Sequence, residues 1–177
     1  MKNIKICVVG LGYVGLPLAI EFGKKFETIG YDNSLSRIRA LKINKDSNDE
    51  LKKQDFYKSK KIIFTNNIND IGASNFYIIT VPTPINKNNT PDLRIITDAT
   101  TQVAKKIRKN DIVVYESTVF PGFTKDIAVP ILEKFSTLTY NQDFFCGYSP
   151  ERINPGDRKH TVKNIVKVIS GSNKKTL

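Results

Sequence analysis

Three glycines near the N-terminus have the spacing of a phosphate-binding turn. Gly10, Gly12 and Gly15 form the pattern G-x-G-x-x-G directly after the apolar run "IKICVVG". In this pattern the first glycine permits a tight turn, the second lets a pyrophosphate approach the backbone, and the third allows a helix and a strand to pack closely. The N–H groups and the positive dipole end of the following helix would then face the phosphates.

Asp32 ends a second strand-like run, "TIGYD", about twenty residues after the glycines. A carboxylate at this position accepts hydrogen bonds from the adenosine ribose hydroxyls and repels a 2′-phosphate, which favours NAD over NADP. Arg37 could serve a phosphate, but because Asp32 stays in place we interpret Arg37 as flanking the adenosine end. The sequence therefore predicts an NAD site, and a glycine turn without a ligand is the alternative.

Polar residues also follow three later strand-like runs. Thr83 lies in "VPTP", Ser117 and Thr118 lie in "ESTVFPG", and Glu151 and Arg152 lie in "GYSPERINPGD". Ligands of open parallel sheets bind beyond the carboxyl ends of the strands, so we expect these residues to line one cleft. Glu151 is then expected to be the only carboxylate near the nicotinamide end. The alternative for each loop is a turn whose polar groups are satisfied within the protein.

The elements that would position these residues alternate along the chain. The continuous β-branched run "IKICVVG" is typical of a strand buried on both faces. Further strand candidates are "KIIFT", "FYIITVP", "DIVVYES", "DFFCGY" and "NIVKVIS". Helical spacing marks "YVGLPLAIEFGKKF", "LRIITDATTQVAKKIRK" and "TKDIAVPILEKFS", and Ser34 is a candidate N-cap for "SLSRIRALKIN". Residues 44–60 indicate a loop or a weak helix. This order predicts an α/β fold with a Rossmann-like, doubly wound, mostly parallel sheet and helices on both faces.

Composition narrows the function classes. The 177 residues carry a formal net charge of +11, but the lysines are scattered, so we expect a solvated surface and no nucleic-acid binding. No apolar run approaches the roughly 20 residues that span a bilayer, and we expect a cytoplasmic protein without membrane contact. Cys7 and Cys146 lie in apolar runs, lack metal-ligand spacing and are expected to be buried, so no metal site is predicted. His160, the only histidine, is expected to be solvated.

Five motifs together resemble those of the UDP-glucose/GDP-mannose dehydrogenase family. They are "GLGYVGLPLA", "YDNSLSRI", "VPTP", "YESTVFPG" and "YSPERINPGD", and the resemblance covers nearly the whole chain. The form "SPERINPGD" is most similar to the branch that acts on UDP-N-acetylhexosamines, with UDP-N-acetylglucosamine as the expected sugar nucleotide. The resemblance implies oxidation of the C6 hydroxymethyl to a carboxylate with two NAD, through an aldehyde that a cysteine captures, a thioester and its hydrolysis.

The resemblance also implies roles for individual residues. Thr118 and Glu151 would be catalytic, with Thr118 positioning water or substrate near C6 and Glu151 assisting proton transfer during thioester hydrolysis. The substrate side of the cleft would be shaped by Glu151, Arg152, Ile153 and Asn154. The residues implied to contact NAD are Gly10, Gly12, Tyr13, Val14, Gly15, Asp32, Arg37, Thr83 and Thr118.

The chain departs from the family in one large respect. Family members are much longer, and their nucleophilic cysteine and oxyanion-stabilising lysine belong to a later segment, whereas Cys7 and Cys146 stand in other contexts. We therefore expect residues 1–177 to be the N-terminal NAD-binding domain of a longer, homodimeric enzyme, without its central helix and C-terminal substrate domain. Alone, it would bind NAD and turn over little.

Three other functions remain open from the sequence. A UDP-glucose or GDP-mannose dehydrogenase would be expected to carry a "PEF"-like loop in place of Glu151, Arg152 and Ile153. A stand-alone NAD-binding regulatory module would perform no chemistry. A nucleic-acid-binding protein would bind oligonucleotides in a salt-dependent manner that NAD does not compete away.

Overall fold

A computed structural model describes residues 4–152, 162, 164–174 and 176–177. Within these residues a seven-stranded sheet is flanked by helices on both faces. The strands are β1 (Lys5–Val9), β2 (Glu27–Tyr31), β3 (Ile62–Thr65), β4 (Phe76–Ile79), β5 (Ile112–Tyr115), β6 (Phe145–Tyr148) and β7 (Ser170–Gly171). The helices are α1 (Gly15–Gly23), α2 (Leu35–Lys42), α3 (Lys53–Lys58), α4 (Arg94–Ala104) and α5 (Val129–Ser136), with a 3₁₀ turn at Asp70–Ala73 and a π-helical turn at Thr124–Ala128.

The sheet has the strand order β3-β2-β1-β4-β5-β6-β7. All pairs are parallel except β6 with β7, which is antiparallel. The chain first builds outward from β1 to β3 and then crosses back to place β4 on the other side of β1. This reversal separates the loops that follow β1 and β4 and opens a crevice at the carboxyl edge, which confirms the predicted doubly wound fold.

The central strands β1 and β4 are buried on both faces because each face packs against helices. Along β1, Ile6 and Val8 point to one side and Cys7 and Val9 to the other, as the two-residue period of a strand requires. The first side packs against α1, α2 and α3, and the second packs against α4 and α5. Because both faces of β1 are buried, its sequence is a continuous apolar run and not an alternation of apolar and polar residues.

Both cysteines are buried in this core, as predicted. Burial raises the pKa of the Cys146 thiol to about 12 and raises the pKa of the Cys7 thiol still further. A thiol is a nucleophile only as its thiolate, so neither cysteine is poised for covalent chemistry.

The predicted helix starts and strands are largely confirmed, with differences at the ends. Ser34 caps α2 by accepting a hydrogen bond from the Arg37 N–H, and α3 occupies part of the segment that indicated a loop or weak helix. The predicted strand 164–170 is wrong except at its last residue. Val166 and Val168 are exposed, so this apolar run lies outside the core, and only Ser170 pairs with the sheet.

None of the helices in the described part of the chain has the length and apolar character needed to cross a membrane.

The contact between α1 and the end of β1 is made backbone to backbone. A Cβ at Gly15 would overlap the carbonyl oxygen of Gly10 and the hydroxyl of Thr80. That hydroxyl itself donates to the Gly10 oxygen at 2.7 Å, so the space is filled by a hydrogen bond that joins the turn to β4. Gly10 has a φ of +95°, which a residue with a side chain rarely adopts. The turn therefore depends on both glycines.

We expect Gly15→Ala to lower the free energy of unfolding by at least about 2 kcal/mol, because the backbone contact must open to admit the methyl group. The matched control is Gly12→Ala, since a Cβ at Gly12 meets no heavy atom within 4 Å. Urea unfolding of the two variants would measure the difference. Equal stabilities would show that the helix-to-strand contact does not require a glycine.

Candidate functional site

Three adjoining cavities lie along the carboxyl edge of the sheet, and Gly12 lines all three. The α2 cavity, of about 440 Å³, lies between the glycine turn and the start of α2. The α4 cavity, of about 690 Å³, lies between the same turn, Asp32 and α4. The β5 cavity, of about 510 Å³, is lined by the loops after β4, β5 and β6. Together they form one crevice at the position where the strand order reverses.

The glycine turn closes the middle of this crevice. The Gly10 N–H donates to the Tyr31 carbonyl at 2.8 Å, which holds the turn against β2. Helix α1 begins after Val14, whose side chain offers no capping hydrogen bond. The Leu16 N–H donates to the Gly12 carbonyl at 3.1 Å and Pro17 has no N–H, whereas the N–H groups of Tyr13, Val14 and Gly15 make no hydrogen bond within the described residues and are available to an anion.

Asp32 lies at the junction of the α2 and α4 cavities. One carboxylate oxygen accepts the Leu11 N–H at 2.8 Å, and the other accepts the Ser34 N–H at 2.9 Å. These bonds fix the carboxylate between the glycine turn and α2. Each carboxylate oxygen has two lone-pair directions, so Asp32 retains acceptor capacity toward the cavities.

Arg37 lines the α2 cavity, although its guanidinium is held mainly by the protein. Nε donates to the Leu11 carbonyl at 2.9 Å, and Nη1 donates to Asp46 at 2.7 Å and to Ser47 at 2.8 Å. Nη2 is buried and has no hydrogen-bond partner within the described residues. A buried donor without an acceptor costs free energy, so Nη2 is suited to an acceptor that a ligand supplies.

The loop after α2 is organised by Asp46, which sequence reasoning missed. The side chain of Asp46 is fully buried and accepts backbone N–H groups from Asn48, Glu50 and Leu51, as well as the guanidinium of Arg37. This arrangement holds Ser47 and Asn48 at the rim of the α2 cavity. From the sequence alone, residues around Asp46 form only a polar segment. The pairing of Asp46 with Arg37 could not be predicted, because Arg37 belongs to α2 and Asp46 to the loop that follows it.

The loops after β4 and β5 are tied together at the β5 cavity. The Ser117 hydroxyl donates to the Val81 carbonyl at 2.7 Å, and the Thr83 hydroxyl donates to the Thr118 carbonyl at 2.5 Å. Tyr13 and Val14 line the same cavity from the turn that precedes α1. The residues that the motifs implied on these loops are thus brought to one place.

Two glutamates line the β5 cavity, Glu151 and Glu116. The expectation that Glu151 is the only carboxylate there is wrong. Glu116 follows β5 directly, so its position at the strand end could have identified it. Its carboxylate accepts Lys167 Nζ at 2.6 Å in an ion pair whose side chains are 10% and 16% exposed.

Burial raises the pKa of the Glu116 carboxyl, and the charge of Glu151 acts in the same direction, whereas the ammonium of Lys167 lowers it. The lysine comes from the segment that precedes β7, so this ion pair fastens that segment to the end of β5. A cation beside Glu116 also reduces the negative charge that the two glutamates place in one cavity.

The remaining predicted residues divide into two groups. Arg152 is exposed beside Glu151, whose carboxylate accepts the Arg152 N–H at 2.7 Å, and it does not line the three cavities. Ile153, Asn154 and His160 lie outside the described residues. Over the described ranges, no group of three His, Cys, Asp or Glu side chains gathers as a metal ion would require.

We expect Lys167→Met to lower the free energy of unfolding by about 2–3 kcal/mol near neutral pH, because it leaves a buried carboxylate without its cation. The folded-state pKa of Glu116 lies above its unfolded value, so the stability it contributes is complete at low pH and declines as pH rises through the folded value. Without Lys167 that decline is steeper. The loss measured by urea unfolding should therefore grow between about pH 5 and about pH 8.

Lys5→Met is the matched control, since the Lys5–Glu27 pair has side chains 43% and 58% exposed and its loss should matter little. A Lys167→Met defect that stays constant across this pH range would refute the role of the Glu116 charge.

The model of the "UDP-glucose/GDP-mannose dehydrogenase family, NAD binding domain" matches residues 4–177. The chain is 51% identical over 172 residues to the UDP-N-acetyl-D-glucosamine 6-dehydrogenase of Pseudomonas aeruginosa, covering 97% of this chain and 41% of that protein. It is 52% identical over 172 residues to the enzyme of the same name from Salmonella typhi, with 97% and 40% covered. The chain thus spans about two fifths of the length of these relatives.

The fold is also similar to that of a solved structure, the NDP-N-acetyl-D-galactosaminuronic acid dehydrogenase of Methanosarcina mazei Go1. The TM-score is 0.87 at 27% identity, and the match covers 98% of this chain and 40% of that one. The family model matches residues 4–177, and the crevice contains the glycine turn and the acidic residue that the motif requires. The chain therefore belongs to the UDP-glucose/GDP-mannose dehydrogenase family, as its NAD-binding domain.

Proposed function

We propose that residues 1–177 are the N-terminal domain of an NAD-dependent UDP-N-acetylglucosamine 6-dehydrogenase. The observation that carries this proposal is the crevice in which an unobstructed Gly12 joins a cavity beside Asp32 to a cavity beside Glu151. A dinucleotide needs such a continuous path, with a bare backbone at its pyrophosphate and different chemistry at its two ends.

The residues of the crevice fit the adenosine half of NAD. The uncapped N-terminus of α1 faces the space that a diphosphate would fill, and the retained acceptor capacity of Asp32 suits two ribose hydroxyls. The buried Nη2 of Arg37 offers a donor to a hydroxyl oxygen. In this proposal Gly10, Gly12, Tyr13, Val14 and Gly15 approach the phosphates.

The nicotinamide half would lie in the β5 cavity, where Thr83 and Thr118 meet. When bound there, NAD supplies the acceptor for hydride from C6 of the sugar. The Thr118 hydroxyl would orient water or substrate at that carbon, and Glu151 would accept or return a proton. Glu116, held by Lys167, would keep a second carboxylate fixed beside Glu151.

The proposed substrate is UDP-N-acetylglucosamine, oxidised to its uronate with two NAD for surface polysaccharide synthesis in the cytoplasm. This proposal is supported by the sequence identity of this chain, 51% and 52%, to two UDP-N-acetyl-D-glucosamine 6-dehydrogenases. Arg152, Ile153 and Asn154 would shape the sugar side. Because both cysteines of this chain are buried, the nucleophile would come from a further segment of a longer, homodimeric enzyme.

We expect calorimetry to show NAD binding that weakens roughly 10- to 100-fold in Asp32→Ala, which removes hydrogen bonds to a charged acceptor. NADP should bind at least about tenfold more weakly than NAD, because its 2′-phosphate would face Asp32. Asp126→Ala removes the same charge outside the three cavities and should bind NAD normally, and thermal melting would verify that both variants fold.

Equal or tighter binding of NADP would contradict the cofactor assignment. The longer enzyme that contains this domain should in addition reduce two NAD for each UDP-N-acetylglucosamine consumed. A preference for UDP-glucose or GDP-mannose in that assay would assign the domain to another branch of the family.

A further inference from the structure

Helix α4 presents both apolar and polar side chains to the crevice. Ile95, Asp98, Ala99 and Gln102 line the α4 cavity, at the spacing that brings residues of successive turns onto one side of a helix. An adjoining side of α4, with Ile96, Thr100 and Val103, is buried in the core. The orientation of α4 is therefore fixed by its packing, and the four residues are presented to the cavity by a rigid element.

The α4 cavity has the wall chemistry of a pocket for a flat aromatic group. Val81 and Pro82 line it from the loop after β4, and Ile95 and Ala99 line it from α4. Ile95 is 42% exposed although it is a large apolar residue on a helix that buries an adjoining face. Apolar side chains from both of these elements favour a planar ring, whereas the edge of that ring needs polar partners.

The polar partners at this edge are Asp98 and Gln102. Neither side chain has a hydrogen bond or an ion pair with any residue of the described ranges, and both are exposed to the cavity. They stand one helical turn apart, so an acceptor carboxylate and an amide that can donate lie next to each other. Asp32 lies in the same cavity, but each of its carboxylate oxygens already accepts a backbone N–H, from Leu11 or from Ser34.

We propose that Asp98 and Gln102 recognise the hydrogen-bonding edge of the adenine base of NAD and make this domain selective for adenine. This inference rests on the proposed function, since it takes the ribose to lie at Asp32. The base attached to that ribose then has the α4 cavity as its neighbouring space. Asp98 accepts from the exocyclic amino group, and Gln102 donates to the adjacent ring nitrogen.

Hypoxanthine reverses the pattern that adenine presents. Its carbon 6 carries a carbonyl oxygen in place of the amino group, and the adjacent ring nitrogen carries a proton. The carbonyl oxygen would face the carboxylate of Asp98, two acceptors with no proton between them. We expect this mismatch to weaken binding on the order of tenfold, at the lower end for matched base contacts because the site is exposed to solvent.

The test compares NAD with nicotinamide hypoxanthine dinucleotide by calorimetry on the 177-residue chain. NAD should bind on the order of tenfold more tightly. In Asp98→Ala the ratio of the two dissociation constants should fall to within about twofold, mainly because NAD binds less tightly. Gln102→Ala should reduce the ratio in part. Alanine is compatible with an exposed helical position, so both variants should fold.

Asp126→Ala is the charge-matched control and should keep the full ratio. If wild type binds both dinucleotides equally, or if Asp98→Ala keeps the wild-type ratio, the inference is overturned while NAD binding itself stands. If neither dinucleotide binds to wild type, the proposed function fails and takes this inference with it.

Discussion

The backbone contact between the N-terminus of α1 and the end of β1 is the constraint on which the rest of the site depends. Gly15 lets the helix approach the Gly10 carbonyl, and the Thr80 hydroxyl joins that carbonyl to β4. Because the helix begins so close to the strand, the turn that precedes it, with Gly12, Tyr13 and Val14, lines the crevice where the strand order reverses. The same turn brings Gly12 to all three cavities.

Two mostly buried ion pairs hold loops that border the same crevice. Arg37 and Asp46 fasten the loop after α2 to the glycine turn, and Glu116 and Lys167 fasten the segment before β7 to the end of β5. Buried pairs contribute little net stability, since desolvation offsets much of the attraction, but breaking one is costly. Their effect here is geometric, because each pair positions a loop that no helix or strand holds.

How far the sequence predicts this structure depends on the range of each interaction. The glycine turn, Asp32, the Ser34 cap and the buried strands were predictable because each follows from local spacing or apolar runs. Asp46 and Lys167 were not, because their partners lie on other elements. The apolar run at 164–169 was wrongly predicted as a strand because β-branched residues favour strands chiefly where they pack against neighbours, and Val166 and Val168 are exposed.

The central claim is that a dinucleotide's diphosphate lies on the bare backbone at Gly12, and NMR titration of the isotopically labelled chain tests it most directly. Addition of NAD should shift the backbone amide signals of Gly12, Tyr13 and Val14 together with that of Asp32, while amides of the distant β3 edge stay in place. Saturable binding of NAD that leaves the glycine-turn signals unchanged would contradict the account.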